Sequence, residues 1–421
     1  MASAAQLARR FGGLWGQPDF VRLWCGQGIS QLGSQFSALA LPLVAVLLLD
    51  ASAFEMGLLQ AARSVPALLV GLVAGVWVDR LRRRPILIGA DLGRAALLGL
   101  VPLLAGLGLL RIEYLLAVVF AVGVLTIFFD VAYQAYLPSL VDRADLVEAN
   151  GKLTATAQVA LIVGPGLAGA VVQAVTAPFA VALDAVSFLL SALFLSRIRK
   201  PEKPVGTGVR RSVWQDAVEG VRFILAHPFL RLTLAAGMVN NLCVSALQAV
   251  LVLYMTADLG LPPAVIGLLF TAVGVGALAG TLAAAPLSRR LGPGPASVGA
   301  ALVLILAFGC VPLAGLWPAA AVPLLLGHLF LQPLGLLLLV VTSGSIWQAV
   351  TPDHLLGRVN GTRRVAMWAT PPVGALLGGA VGAAFGLWAI TVAAAVGSLG
   401  VLLFVALGAA RLDELPAASG R

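Results

Sequence analysis

Apolar residues in this chain come in long unbroken runs rather than at alternating or heptad positions. From about position 21 onward, stretches of roughly 20 residues recur, the length a helix needs to cross a ~30 Å hydrocarbon core. Twelve spans are predicted, over 21–49, 55–78, 86–108, 114–137, 152–174, 178–196, 229–254, 264–288, 295–316, 319–347, 362–385 and 387–410. The breaks between them are short except for one polar segment, Arg197 to His227, near the middle of the chain. Within it, Val213, Trp214, Ala217, Val218, Val221, Ile224 and Leu225 share one helical face opposite Asp216, Glu219 and Arg222. That pattern predicts a helix lying in the membrane interface, ended by Pro228. The expected organisation is a six-helix half over 1–196, a cytoplasmic linker with this interfacial helix over 197–228, and a second six-helix half over 229–421.

Composition excludes a water-soluble alternative: 60% of the 421 residues are hydrophobic and 11% charged, where a soluble domain is about a quarter charged. The net charge of +9 would suggest nucleic acid for a soluble chain, but its placement points elsewhere. With the N-terminus inside, Arg111 is the only basic residue in an outer loop, Arg63 and Arg94 fall inside spans, and the others lie in cytoplasmic segments or span ends. This bias predicts a multi-pass protein of the plasma (inner) membrane with both termini cytoplasmic. Its basic residues then answer to topology and anionic lipid, and no nucleic-acid partner is expected. The polar start leads into an apolar stretch too long for a signal-peptide core, so no signal peptide is expected. Cys25, Cys243 and Cys310 form no Cys-x-x-Cys, and neither disulfide, metal nor other cofactor is expected.

The chain also repeats itself. At a shift of 210 residues, eleven of the 25 positions from 57 to 81 are identical to their counterparts, including Gly57-Leu58-Leu59 on Gly267-Leu268-Leu269 and Arg80-Leu81 on Arg290-Leu291. The same shift brings Pro18 onto Pro228, Asn150-Gly151 onto Asn360-Gly361, Gly164 onto Gly374 and Gly169 onto Gly379. Gln134-Ala135-x-x-Pro138 meets Gln348-Ala349-x-x-Pro352 at a shift of 214. Two parallel six-span repeats are inferred, related by an axis along the membrane normal and with a substrate path between them.

The segment Gly75-Val-Trp-Val-Asp79-Arg80-Leu81-Arg82-Arg83-Arg84 resembles the Gly-x-x-x-Asp-Arg-x-Gly-Arg-Arg loop of the major facilitator superfamily. Arg82 departs from the second Gly of that loop, while Gly292 occupies the matching place in the second half and Arg289 there replaces the Asp. The resemblance implies an all-α fold of twelve transmembrane helices in two halves, a monomer, and a carrier working by alternating access. It further implies that Asp79, with Gly75, Arg80, Arg83, Arg84 and Arg94 around it, closes the cytoplasmic side, Asp79 facing the start of the eleventh helix near Asn360. A carboxylate beside unsatisfied helix N–H groups is favourable by about 0.3 to 1 kcal/mol, and Gly75 shares a face with Gly71 where another backbone can approach. The stretch from Gln348 to Asn360, with Glu219-Gly220-x-Arg222-Phe223, is similar to the branch that contains enterobactin exporters and macrolide efflux proteins, which implies export.

Ionisable residues inside spans are costly and mark candidates for mechanism. Asp91, Arg94 and Asp130 are predicted at similar depth, as a buried cluster that either braces the cytoplasmic gate or titrates during transport. Asp130 is the first candidate, since fourth helices line the cavity in the family. Asp184 and His328 are further proton-coupling candidates, with Arg63 a potential partner for Asp184 or for an anionic substrate group and structural hydrogen bonding the competing role for His328. A polar lining is predicted from Gln27, Gln31 and Gln35 in the first span, Tyr133 and Gln134 in the fourth, Asn241, Ser245 and Gln248 in the seventh, and Gln332 in the tenth. Helix-to-helix hydrogen bonding competes with that reading. Gly164, Pro165 and Gly169 read as helix packing, because the Gly-x-Gly-x-x-Gly they form lacks a preceding strand.

Function classes narrow accordingly. A proton-coupled exporter of an amphipathic small molecule, such as a drug, secondary metabolite or siderophore, fits best; a carrier of lysophospholipid or sugar is the alternative. No phosphate-binding Gly-x-x-x-x-Gly-Lys-[Ser/Thr] is present. A membrane-embedded enzyme lacks His-Glu-x-x-His or any Cys or His cluster to support it. An open channel accords poorly with two asymmetric repeats and charges buried near a gate.

Overall fold

The computed structural model describes residues 13–78, 80–200 and 213–411, with the side chains at 72, 73, 76 and 213–217 outside that description. Thirteen α-helices and no strand occur among the described residues: α1 (Pro18–Leu49), α2 (Ala53–Val78), α3 (Arg83–Gly106), α4 (Ile112–Leu140), α5 (Leu146–Ala174), α6 (Ala177–Ser196), α7 (Val213–Ala226), α8 (Pro228–Leu253), α9 (Pro263–Leu291), α10 (Pro293–Leu316), α11 (Ala321–Val350), α12 (Leu356–Phe385) and α13 (Leu387–Ala410). Eleven are long and apolar enough to cross a membrane. The twelfth, α2, contains side chains outside the description and is assigned to the membrane from its sequence, in which Glu55 and Arg63 are the only charges. The remaining helix, α7, has 14 residues.

Most helices extend beyond the predicted spans at the ends that carry the basic residues. The largest differences are at α5 and α12, which each start six residues earlier, at Leu146 and Leu356. Both open with a polar turn ending in Asn-Gly, Asn150-Gly151 and Asn360-Gly361. An apolar run marks the hydrocarbon core, whereas a helix continues until its hydrogen-bond ladder is capped.

The helices form two compact units, Met1–Asp50 with Val65–Gly208, and Ala51–Ser64 with Val209–Arg421. In the first unit, α1 packs on α5 and α6, and α3 packs on α4 and α6. Small residues permit these approaches. A Cβ at Gly33 would strike Ser187 and lie 2.7 Å from Asp184 Oδ1; one at Gly28 would lie 3.1 Å from Thr156 Cγ2. A Cβ at Gly164 would lie 2.5 Å from Gln35 Cβ, so Gly164, buried with Pro165 and Gly169 on α5, packs helix on helix as predicted. Phe20, Leu23, Leu87, Phe129, Tyr136 and Leu195 fill the core at the other end of the unit.

In the second unit, α8 packs on α12 and α13, α10 on α11 and α13, and α9 on α11. Shifted by 210 residues, the four pairings of the first unit become α8 on α12, α8 on α13, α10 on α11 and α10 on α13, so the sequence repeat is a repeat of packing. A Cβ at Gly378 would run into the Ala246 carbonyl, and one at Gly57, in the stretch of α2 that belongs here, would sit 2.8 Å from Gly379 Cα. Helix α7 docks on α12 in the same unit. Its Gly220 brings the backbone against Arg358 and Thr362, Glu219 pairs with Arg358, and Ile224 is buried beside Trp347 and Val359. Val221 and Leu225 stay exposed.

The departure at Arg82 has a backbone explanation. Arg82 holds φ −66° as it enters α3, whereas Gly292, its counterpart before α10, holds φ +83°. The second turn needs glycine and the first does not.

Candidate functional site

The first unit contains a buried charged cluster. Asp91 and Arg94 lie about two and three turns into α3 and form an i,i+3 ion pair with side chains 0% and 6% exposed. The Arg94 guanidinium lies between two rings, 4.3 Å from the Phe129 centroid on α4 and 4.1 Å from that of Phe188 on α6. Desolvated contacts of this kind are worth about 2 kcal/mol each. One oxygen of Asp91 has no hydrogen-bond partner among the described residues.

Asp184 joins this cluster from α6. It is 1% exposed, accepts a 3.0 Å hydrogen bond from Ser187 Oγ, and lies close enough to Arg94 for its charge to act on the guanidinium, as does that of Asp130. Spacing does not reveal this neighbourhood; the glycine at position 33, which lets α1 reach Ser187 and Asp184, is the sequence signal. Arg63 is exposed and belongs to the second unit.

One expectation for the charges is corrected, at Asp130, while Arg94 is a mid-helix core residue, because α3 begins at Arg83 and its middle faces α4 and α6. Asp130 is not buried: Phe129, Ala132 and Tyr136 take the packed face of α4, and Asp130 and Gln134, one turn apart, take the exposed face. Of the loop residues, Arg80 is exposed in a turn. Arg83, half-buried, starts α3, and Arg84 donates to the carbonyls of Leu195, at 3.0 Å, and Ser196, closing the C-terminus of α6. A Cβ at Gly75 has no neighbour within 4 Å among the described residues. Asp79 lies outside the described residues.

The predicted polar lining separates into different roles. Gln27, Gln31 and Gln35 are half-buried along α1, with Gln35 held against Gly164. Tyr133 is half-buried and stacked on Phe129, centroids 6.1 Å apart. Asn241, Ser245 and Gln248 share one face of α8, which meets α12 at the first two. Asn241 Nδ2 donates to the Met367 carbonyl at 3.2 Å, Ser245 is buried where Gly374 admits α12, and Gln248 is exposed. His328 is buried, its Nδ1 2.9 Å from the Ala307 carbonyl. A carbonyl only accepts, so Nδ1 is the donor, and the ring acts as a hydrogen-bonded core residue between α10 and α11. Gln332, one turn on, is half-buried with Nε2 unpartnered among the described residues. Asn240, which the polar pattern of the seventh span includes beside Asn241, is 1% exposed with neither amide atom hydrogen-bonded among the described residues.

Twelve long helices in two sets with the same internal pairing, and a few charges held inside the spans, define a major facilitator transporter rather than an enzyme. A bacterial homologue of the iron transporter ferroportin in an inward-facing state shares this fold, with a TM-score of 0.69 over 92% of this chain and 98% of that one at 18% identity. Residues 15–419 match the transmembrane secretion effector family, and the chain belongs to it. Among curated relatives, the multidrug efflux pump Tap of Mycolicibacterium fortuitum is 28% identical over 413 residues, covering 92% of this chain and 94% of its own. The enterobactin exporter EntS of Salmonella choleraesuis is 27% identical over 374 residues, covering 87% and 86%. The protein is therefore a multi-pass membrane transporter with a small-molecule substrate.

Proposed function

We propose that the chain is a proton-driven exporter of amphipathic small molecules, acting as a monomer with both termini cytoplasmic, by alternating access of halves 1–196 and 229–421 joined through the linker 197–228. Export draws support from the efflux pump and exporter among its relatives.

The observation that carries proton coupling is that the fold does not need the buried charges. At the shift of 210, Asp91, Arg94 and Asp184 correspond to Ala301, Leu304 and Ala394, and the equivalent crossing of α10 with α13 is built from these apolar residues, all buried. Charges held in a low-dielectric interior at a cost that the other half avoids have a use. One guanidinium faces two buried carboxylates, so neutrality of the cluster calls for one proton. Arg94 exchanging partners between Asp91 and Asp184, with Asp130 on the exposed face of α4 relaying to water, would release that proton as the helices move.

The test is uptake of a labelled efflux substrate into inverted vesicles under an imposed proton gradient. Accumulation should collapse with a protonophore and should be lost in Asp184→Asn while counterflow exchange persists. Accumulation indifferent to the protonophore would remove proton coupling, and absence of counterflow would remove the carrier itself.

A further inference from the structure

A recess of about 250 Å³ lies inside the second unit between α8, α11 and α12. That is below the ~300–1,000 Å³ of a whole small-molecule site, and so holds one end of a cargo. Three of its walls have distinct chemistry. The Trp347 indole is fixed, its Nε1 donating at 2.9 Å to Thr233 Oγ1, and presents a ring face to the Arg363 guanidinium 5.1 Å away. Arg363 is half-buried and has no ion-pair partner among the described residues, and no acidic residue lines the recess. Asn240, buried to 1% exposure with both amide atoms unpartnered, lines it from α8. A buried amide left without partners is costly, and here it offers a donor and an acceptor side by side.

The repeat supplies an internal comparison. Thr233 and Arg363 correspond at the 210 shift to Leu23 and Leu153, both packed in the apolar core of the first unit. The same packing is thus closed by leucines in one half and opened into a polar recess in the other.

We infer that this recess binds an anionic, ring-bearing end of the cargo, the ring stacking beside Trp347, the acid meeting Arg363 and a neighbouring polar substituent meeting Asn240. The inference rests on the transport reading above and specifies its substrate class: a carboxylate or phenolate on an aromatic ring rather than a cation. Arg is suited to both tasks, since its plane stacks on rings and its fork pairs with carboxylates.

The test uses the full chain in nanodiscs and three matched fluorescent probes, 2-naphthoate, 2-naphthamide and 2-naphthylmethylamine. Naphthoate should bind at least tenfold more tightly than the amine, with the amide between. Arg363→Gln should weaken naphthoate at least tenfold and leave the amine unchanged or improved, Arg363→Lys should keep most of the preference, and Asn240→Leu should weaken acid and amide alike. Gly237→Val, whose new Cβ would meet Met367 Cε at 2.8 Å, should exclude all three probes without changing any charge, and it carries the test if the Arg363→Gln protein does not fold. Equal binding of acid and amine, or a change below twofold on removing Arg363 or filling the recess, would overturn the inference. Wild-type vesicle transport is read separately: gradient-driven export without acid preference defeats only the recess, whereas acid binding without export defeats the transport reading.

Discussion

The buried cluster can be replaced by the residues that its own sequence repeat uses at the same places. Neutralising Arg94 alone, as Arg94→Gln, strands the Asp91 carboxylate at 0% exposure and should cost about 3 to 5 kcal/mol, the usual penalty for leaving one partner of a buried pair uncompensated. Loss of the two ring faces at 4.3 and 4.1 Å adds about 0.5 to 2 kcal/mol for each contact. The triple variant Asp91→Ala, Arg94→Leu, Asp184→Ala leaves no charge stranded and should return to within about 2 kcal/mol of the parent, since apolar replacement of a complete buried ionic set is often neutral or stabilising. The assay pairs two readouts: unfolding in dodecyl maltoside with rising dodecyl sulfate, and gradient-driven uptake into inverted vesicles. Restored stability with uptake abolished is expected. A triple variant less stable than Arg94→Gln would show that the charges hold the fold, and one that still concentrates substrate against its gradient would show that they do not couple transport. Either result refutes the reasoning.

Smaller perturbations test the packing, each read by unfolding midpoint in detergent. Exchanging the partners as Glu219→Arg with Arg358→Glu should recover what either single change loses, about 0.2 to 1 kcal/mol because the pair is partly exposed at 49% and 23%; a double variant weaker than both singles would show that this contact does not hold α7 on α12. Gly378→Ala drives a Cβ into the Ala246 carbonyl and should destabilise by about 1 to 3 kcal/mol. Gly299→Ala, with nothing within 4 Å, should be neutral or gain up to about 1 kcal/mol. Gly292→Ala, at φ +83°, should cost about 1 to 2 kcal/mol, while Ala in place of Arg82, whose φ is −66°, should cost less than half of that.

The membrane helices were legible because hydropathy reports directly on the hydrocarbon core, and the internal repeat because its glycines and prolines sit where helices touch. Gly164 and Gly374, matched at the 210 shift, each admit a neighbouring helix, at Gln35 and at Leu242. The linker signature and the stretch before Asn360 read as two separate patterns in sequence; in the fold they are one contact, Glu219 with Arg358 and Gly220 with Thr362. Rotation about a helix axis was not legible. In a helix as apolar as α4 few polar positions mark which side packs, so Asp130 reads as buried like Phe129 although it is exposed. The same ambiguity leaves Asn240 and Asn241 undistinguished in sequence; both line the recess of the second unit, and only Asn240 has both amide atoms without a partner among the described residues.

What resolves the ambiguity is comparison of the halves. Positions where both copies are small or apolar, such as Gly164 with Gly374 or Ala74 with Ala284, serve packing that both units share. Positions where one copy is charged or amide and the other is Leu or Ala cannot be required by that packing, because the other unit forms the same helix pairs without them. Asp91, Arg94 and Asp184 against Ala301, Leu304 and Ala394 single out one such set in the first unit; Arg363 against Leu153 singles out another in the second. The two sets have different chemistry, carboxylate-rich in one half and cationic with amide in the other. Division of labour follows: the half that holds excess carboxylates is suited to carrying protons, and the half that offers an unpaired guanidinium beside an indole is suited to holding an acidic ring.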